Sequence, residues 1–414
     1  MTTHPGELAD RKVFTSGTHR VRQPEETWEL IRPALADYGI TRVADVTGLD
    51  VIGIPVVVAV RPLAQSLSVS QGKGQTLQLA RISAVMESIE MWHAENACPP
   101  AHWTAAPARG LGLPYRIEDL YNSPASLIDE NVPLDWIRGQ GLATGTTVPV
   151  PRSYVQLAIM ATTHWRPPGL YVESNGLASG NSTSEALLHA LYEVIERDAV
   201  SAVAFDSGEG RLDIRAATID DDVCAVLIER IRAADVHVKI DAIPNRWGLP
   251  TFLCFVWSED FPVFSAGSGT HSSPGVALSR AITEAVQSRL TAISGTRDDL
   301  PGIYPHIRAG AVAEVFTAEA RHAWGDLQWS NPQFADVSSE ADSVAQLVAA
   351  TTGTEPIVVD LSTSADFAVV KVVCPGLTNT THRKFPRPAD TEEDPRELAA
   401  KNLHEAVPEE AQGR

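Results

Sequence analysis

The sequence predicts an α/β (α+β) chain with mixed sheets, on three observations. Three long stretches, Thr76 to Glu95, Ser184 to Val200 and Val276 to Ile293, place apolar residues at helical spacing. Short β-branched runs lie between and around them, at Val43 to Val60, Val236 to Ile243, Phe252 to Val256, Glu355 to Leu361 and Phe367 to Val373. The chain has 414 residues, 44% of them hydrophobic and 21% charged, enough to bury a sizeable core beneath layered helices and sheets.

Each element has its own signal. Residues 24 to 39 read as a first helix, with Trp28, Leu30, Ile31, Ala34, Leu35 and Tyr38 on one face. Val43 to Val60 reads as two strands. In Thr76 to Glu95, Leu77, Ala80, Ala84, Val85 and Ile89 recur along a helix. Residues 99 to 150 are rich in Pro and Gly, which leaves room for short strands at best. Leu187, Leu188, Leu191 and Ile195 mark the helix from Ser184 to Val200, and Thr218 to Ala234 reads as a further one. From Lys384 the composition turns to Pro and charge, which predicts a disordered or solvated tail over 384–414. No internal repeat of fixed period is visible.

Composition excludes several functions. The formal net charge is −19, which opposes nonspecific binding to nucleic acid or an anionic membrane. An anionic substrate stays open, because bound cations can invert a local field. Cys98, Cys224, Cys254 and Cys374 show no CxxC spacing, and the twelve histidines show no HExxH. Met1 to Phe14 holds no apolar signal core. The most apolar run, Val51 to Val60, contains Gly and Pro and is too short to span a bilayer. A cytoplasmic enzyme is expected.

Candidate chemistry lies in paired carboxylates. Glu87 and Glu90 stand three apart on the first long helix and share a face. On the second, Glu193 lies about 80° and Glu196 about 20° around the axis from Glu185. A lone ExxE is usually a solvated face, and Ser182-Thr183-Ser184-Glu185 also fits a capping box that would make Glu185 structural. Apolar and small neighbours (Ala84, Val85, Met86, Ile89) count against solvation. Each helix follows a glycine-rich segment, Gly72-Lys73-Gly74 or Asn175 to Asn181, read as a loop whose N–H groups could face an anion. Four converging carboxylates need cations, and an oxygen-rich set suits Mg²⁺ carrying phosphates. Gly139-Gln140-Gly141 lacks the spacing of a dinucleotide loop and reads as a turn.

Together these runs resemble the YcaO family. Gly72-Lys73-Gly74 with Ser83 to Glu90 resembles its first ATP-binding motif. Asn175 to Gly180 with Glu185 and Glu193 to Asp198 resembles the second, and Ala277 to Arg289 with Gly295 to Asp299 the third. Order and spacing agree over residues 72 to 300. The resemblance implies a fold with acidic helices around an ATP and Mg²⁺ site, a core over 71–383 and a segment 1–70 contributing to it. It implies Glu87, Glu90, Glu193 and Glu196 as metal ligands, with Asn181, Glu185 and Arg197 around the nucleotide. Gln287 and Arg297 belong to the third motif, and Arg20 and Thr27 to a nucleotide-contacting N-terminal segment.

The implied activity is ATP-dependent activation of a peptide backbone amide. A nucleophile adds to the carbonyl, the oxyanion is phosphorylated, and loss of phosphate leaves a thioamide, azoline or amidine. The sequence identifies no general base; His93 and His271 are candidates only by residue type. Met91 stands where the family often has Arg, and the chain lacks the Pro-x-Pro-x-Pro end of many azoline-forming members. Several runs, including Pro375-Gly376-Leu377, are most similar to stand-alone members paired with a TfuA protein and linked to thioamides. A precursor peptide or protein substrate, a separate TfuA-like or leader-binding partner and a homodimer are therefore expected. Two other classes stay open: a non-catalytic member that presents a precursor peptide, and a carboxylate–amine ligase.

Overall fold

The computed structural model describes residues 10–120, 126–157, 170, 173–203, 210–296, 320–329 and 332–378. Pro24 opens helix α1 (Pro24–Ile31), where its missing N–H costs nothing. The helix stops well short of residue 39, because Pro33 has no N–H to continue the ladder; Arg32–Ala34 tighten into a 3₁₀ turn. Strands β1 (Arg42–Asp45), β2 (Val56–Val60) and β3 (Val69–Lys73) form an antiparallel sheet in that order. Helix α2 (Leu77–Asn96) follows, its N-terminus capped by the Thr76 hydroxyl, which accepts from the Leu79 N–H.

A second sheet holds β4 (Trp103–Pro107), β5 (Pro133–Gly141) and β6 (Thr147–Pro151); the one-turn α3 (Arg152–Val155), β7 (Leu177–Gly180) and α4 (Thr183–Ser201) come next. Then β8 (Leu212–Ile214), α5 (Asp222–Ala233), β9 (His237–Ala242), β10 (Thr251–Trp257) and β11 (Ser265–Thr270) give a third sheet in the order β11-β10-β9-β8. Helices α6 (Pro274–Ser294) and α7 (Val337–Thr352) precede β12 (Ile357–Asp360) and β13 (Ala368–Val373), which complete the second sheet as β4-β5-β12-β13-β7, with β6 on β5. Among the described residues every pairing between these strands is antiparallel. Among the described residues no helix is long and apolar enough to cross a membrane.

Several expectations need correction. The 99–150 region contains β5, nine residues long with alternating burial, and Gly139-Gln140-Gly141 is part of it, not a turn. Those glycines leave room for neighbours: a Cβ on Gly139 would lie 2.6 Å from Ile357, and one on Gly141 2.4 Å from Glu355. The helix expected from Thr218 begins at Asp222, because the Asp221 carboxylate accepts the Cys224 N–H at 2.9 Å and sets the cap there. Helix α7 was not anticipated. The two glycine-rich segments are largely strand, with Gly72 and Lys73 in β3 and Leu177–Gly180 forming β7. Glycine there permits close strand-on-helix packing, since a Cβ on Gly72 would sit 2.0 Å from the Ala84 nitrogen. The 384–414 tail lies outside the described residues.

Three units of the same construction emerge. Strands β3, β7 and β11 are each an edge of a different sheet, and each leads directly into a long helix, α2, α4 and α6. Gly72 against α2 and Gly267 and Gly269 against α6 allow the strand to lie on the helix backbone, and Gly180 does so at the start of α4. Three large apolar cores flank these units, with a small fourth cluster of Val200, Val203, Ile243 and Leu253 at the end of α4. One joins the first sheet and α2 to the second sheet, one lies between α5, α6 and the third sheet, and one lies between α4, α7 and the β7–β13 edge.

Candidate active site

The three units meet at one cavity of about 610 Å³. Counted from its first residue, each of the three helices turns its seventh, eleventh, fourteenth and fifteenth residues to that cavity. These are Ser83, Glu87, Glu90 and Met91 on α2, then His189, Glu193, Glu196 and Arg197 on α4, and Arg280, Glu284, Gln287 and Ser288 on α6. Positions separated by three, four and seven residues share a helix face, so one stripe serves in each unit. Unequal stretches of chain separate the units, which is why no fixed period shows.

Each fourteenth residue reaches the edge strand of the next unit. Glu90 accepts from the Ser179 N–H at 2.8 Å and the Ser179 hydroxyl at 2.5 Å on β7. Glu196 accepts from the Ser268 hydroxyl at 2.6 Å and the Thr270 N–H at 3.0 Å on β11. Gln287 donates to the Gln71 carbonyl at 2.6 Å on β3. These three links, five hydrogen bonds in all, close a ring, and three of the bonds satisfy backbone groups on the edge strands.

Electrostatics divide the cavity. Burial, with Glu87 and Glu193 adding to it, pushes Glu90 up to about 8 despite the Ser179 bonds. Glu193 is likewise raised by burial, against the pull of Arg197. Burial alone would lower Arg197, yet Glu193, Glu196 and Glu284 hold it above the ordinary guanidinium value. Four carboxylate side chains brought into one cavity from two helices are a fit donor set for Mg²⁺. On the α6 side, Lys73 donates to Glu284 at 2.5 Å. Arg280 donates to Nε2 of His189 at 3.2 Å, and burial with Arg280 holds that imidazole well below its usual range, hence neutral.

The N-terminal segment closes another wall. Glu185 accepts from the Val21 N–H at 2.9 Å, the Asn181 N–H at 3.2 Å and the Asn181 amide at 2.9 Å, with Arg20 at 3.6 Å. The Thr27 hydroxyl donates to the side-chain Oδ1 of Asn181 at 2.7 Å. Ser182 caps α4 by accepting the Glu185 N–H at 3.2 Å. The Glu185 carboxylate turns to Asn181 and Val21, so only half of the anticipated capping box forms.

The cavity gathers Arg20, Thr27, Glu87, Glu90, Asn181, Glu185, Glu193, Glu196, Arg197 and Gln287 in one place; Arg297 lies outside the described residues. The two histidines lie elsewhere. His93 is buried with Nδ1 on the Ile89 carbonyl at 2.7 Å and Nε2 on Thr363 at 2.8 Å, so both nitrogens are engaged. His271 accepts the Ser273 N–H at Nδ1 and packs on Tyr192 beside Glu340, whose carboxylate meets Lys12 at 2.7 Å. His271, His19 and Glu340 lie close enough to suggest a metal cluster. The Lys12 ammonium already supplies the cation, and an imidazole accepting at Nδ1 carries its proton on Nε2, which closes that nitrogen to a metal. Sequence reasoning missed Lys73, His189, Arg280 and Glu284. For the three on helices the signal was register, since His189 and Arg280 take the seventh position and Glu284 the eleventh, where Glu87 and Glu193 stand in the other units; Lys73, at the end of β3, carried no such signal.

Comparison with known proteins agrees with this geometry. The family model of the YcaO cyclodehydratases, described as ATP- and Mg²⁺-binding, matches residues 71–378. An uncharacterised protein of Mycobacterium tuberculosis is 43% identical over 374 residues, covering 87% of this chain and 83% of its own. A protein encoded in the tfuA 3′ region of Rhizobium leguminosarum bv. trifolii is 36% identical over 399 residues, covering 91% and 93%. Among solved structures, YcaO from Methanopyrus kandleri bound with AMPPCP and Mg²⁺ superposes with a TM-score of 0.68 at 22% identity, covering 93% of this chain and 99% of that one. A heterocyclase in complex with substrate and cofactor gives 0.69 at 18% identity, covering 93% and 57%. These two likenesses establish the fold.

Proposed function

This chain belongs to the YcaO family, and from that premise we propose that it is an ATP- and Mg²⁺-dependent enzyme that O-phosphorylates a backbone amide of a precursor peptide or protein. The observation that carries this reading is the gathering of Glu87, Glu90, Glu193 and Glu196 from two helices into one cavity that Arg20, Lys73, Arg197 and Arg280 also line. The four glutamates would hold Mg²⁺, which neutralises and positions phosphate oxygens when bound. Asn181, Glu185 and Thr27 are already hydrogen-bonded into one rigid group, so the nucleotide they would meet finds an ordered wall. Arg20 and Arg197 place fixed positive charge where phosphate charge would develop. The protein's part is orientation and electrostatics.

A thioamide is the product this reading favours among thioamide, azoline and amidine. Support comes from the relative encoded beside tfuA and from the runs similar to stand-alone members. A separate TfuA-type partner would then deliver the sulfur nucleophile. Met91 supports a second reading, a non-catalytic peptide-presenting member: it lies at the cavity in the register where α4 carries Arg197. Peptide-dependent ATP consumption separates the two.

The first experiment is calorimetry of ATP binding with and without Mg²⁺, comparing the wild type with Glu196→Gln. Mg²⁺-dependent binding in the wild type that drops at least about tenfold in the variant is expected. A folded wild type that binds no nucleotide sinks the reading.

A further inference from the structure

The three units are not equivalent in charge. In the eleventh and fourteenth helical positions, units one and two each bring two carboxylates to the cavity, and α4 adds Glu185 at its third. The third brings Glu284 and the neutral Gln287. Gln287 is committed to the Gln71 carbonyl. Glu284 is the single carboxylate of its arm, and Lys73, Arg197 and Arg280 all act on it. Lys73 and Arg280 thus meet a single carboxylate in this arm, with Arg197 shared between Glu284 and the α4 glutamates Glu193 and Glu196, whereas α2 and α4 each carry a pair of carboxylates. Such a surplus of positive charge, lining a cavity, fits an anionic ligand group.

Lys73 is the mobile member of that set. It is the last residue of β3, and Gly74 after it packs on Leu79 and Ala80 of α2. The backbone is thus fixed, while a flexible four-carbon stem carries the ammonium. Its side chain and that of Glu284 are each 24% exposed, and both line the cavity. An ammonium in this position can leave one oxygen acceptor for another without any change in the fold.

We propose that Lys73 is a ligand-contacting residue whose ammonium, held by Glu284 in the nucleotide-free chain, passes to the terminal phosphoryl group of bound ATP. The inference rests on the functional reading above. Carboxylates of the first two units would hold the cations that a polyphosphate brings. The third unit replaces a second carboxylate by Gln287 and brings a lysine, so its charge is suited to an oxyanion that the metal ions do not cover. Glu284 then acts as a positioning residue that parks the ammonium at the cavity wall.

The test is a comparison of ATP and ADP affinity by calorimetry, with Mg²⁺ present, in the wild type, Lys73→Met, Lys73→Arg, Glu284→Gln and the double variant Lys73→Met/Glu284→Gln. Circular dichroism melts select the folded proteins. The double variant removes both charges together, so it stays informative if a single variant unfolds. Lys73→Met should weaken ATP about tenfold or more while changing ADP little, and Lys73→Arg should restore part of the loss. Glu284→Gln should tighten ATP relative to ADP, because it removes the competitor for the ammonium. The double variant should match Lys73→Met in its lost preference for ATP. Equal losses for ATP and ADP, or matching losses in the two single variants, would show an ion pair that serves only structure and would overturn the proposal. Absence of wild-type binding to either nucleotide overturns the functional reading and this inference with it; binding by the wild type with no change in Lys73→Met overturns the inference alone.

Discussion

Glu90 shows how a single residue couples the cavity to protons. Burial and the neighbouring carboxylates Glu87 and Glu193 raise it from 4.5 to about 8, so in the metal-free chain it is mostly protonated at neutral pH. A raised carboxylate favours the folded chain fully below its unfolded value of 4.5, and that advantage is lost as pH rises through about 8. If Glu90 is a metal ligand, it must give up this proton on binding. Calorimetry at pH 7 in buffers of different ionisation enthalpy should then show release of roughly one proton per Mg²⁺-nucleotide bound. Apparent affinity should rise with pH up to about 8 and level off above it. Glu90→Gln should abolish the release, and proton uptake on binding would rule the assignment out. Its candidacy was legible because ExxE on a helix fixes two side chains to one face. Lys73 and Glu284 were not legible in the same way: they lie 211 positions apart in sequence, and only the folded chain brings them together.

Among elements, the strand–helix unit imposes the tightest constraint. A Cβ on Gly72 would approach the Ala84 nitrogen to 2.0 Å and the Ala80 carbonyl to 2.1 Å, and both atoms belong to helix backbone that cannot yield locally. Gly72→Ala should therefore push α2 off β3 and destabilise the chain by about 2–3 kcal/mol, read as a shift in urea midpoint. It should also weaken Mg²⁺-dependent ATP binding, because Glu87 and Glu90 ride on α2. Gly53→Ala is a useful contrast: that position has φ +73° but open space around it, so its effect should come from backbone strain and spare the cavity. A Gly72→Ala protein with unchanged stability and binding would refute the packing argument. The long helices were readable because their apolar residues recur every three to four positions. Strands β3 and β7 were not, because glycine and small polar residues look like loop composition while serving close approach. Helix α7 was missed although Val337, Ala341, Val344, Ala345 and Val348 keep helical spacing on its buried face; the buried Glu340 on that face accepts from Tyr192 at 2.5 Å, a pairing that only the folded chain reveals.

At the scale of the whole molecule, the family match begins at residue 71, yet the cavity and the core depend on the chain before it. A boundary at that point cuts β3, which runs from Val69 to Lys73 and pairs with β2 along its length. Ile31, Tyr38, Ile40, Val57 and Ala59 share one core with Ala80, Ala84 and Ile89 of α2. Arg61 makes a bidentate pair with the buried Glu95 at 3.0 and 2.8 Å; loss of Arg61 strands a buried carboxylate at a cost of about 3–5 kcal/mol. The Val21 N–H that Glu185 accepts is lost as well, together with Arg20 and Thr27. A fragment of residues 71–378 should therefore melt without cooperativity and bind no Mg²⁺-ATP, whereas a fragment of residues 10–378 should keep both properties. Circular dichroism melts and calorimetry decide between them. Cooperative melting of the shorter fragment near the temperature of the full chain, with nucleotide binding intact, would mean that the first sheet is an accessory. The opposite result would make the ring of three units one cooperative object, in which each helix needs the edge strand of its neighbour and α6 needs β3. Such an object has no seam at which motif-bearing sequence can be separated from the segment that completes it.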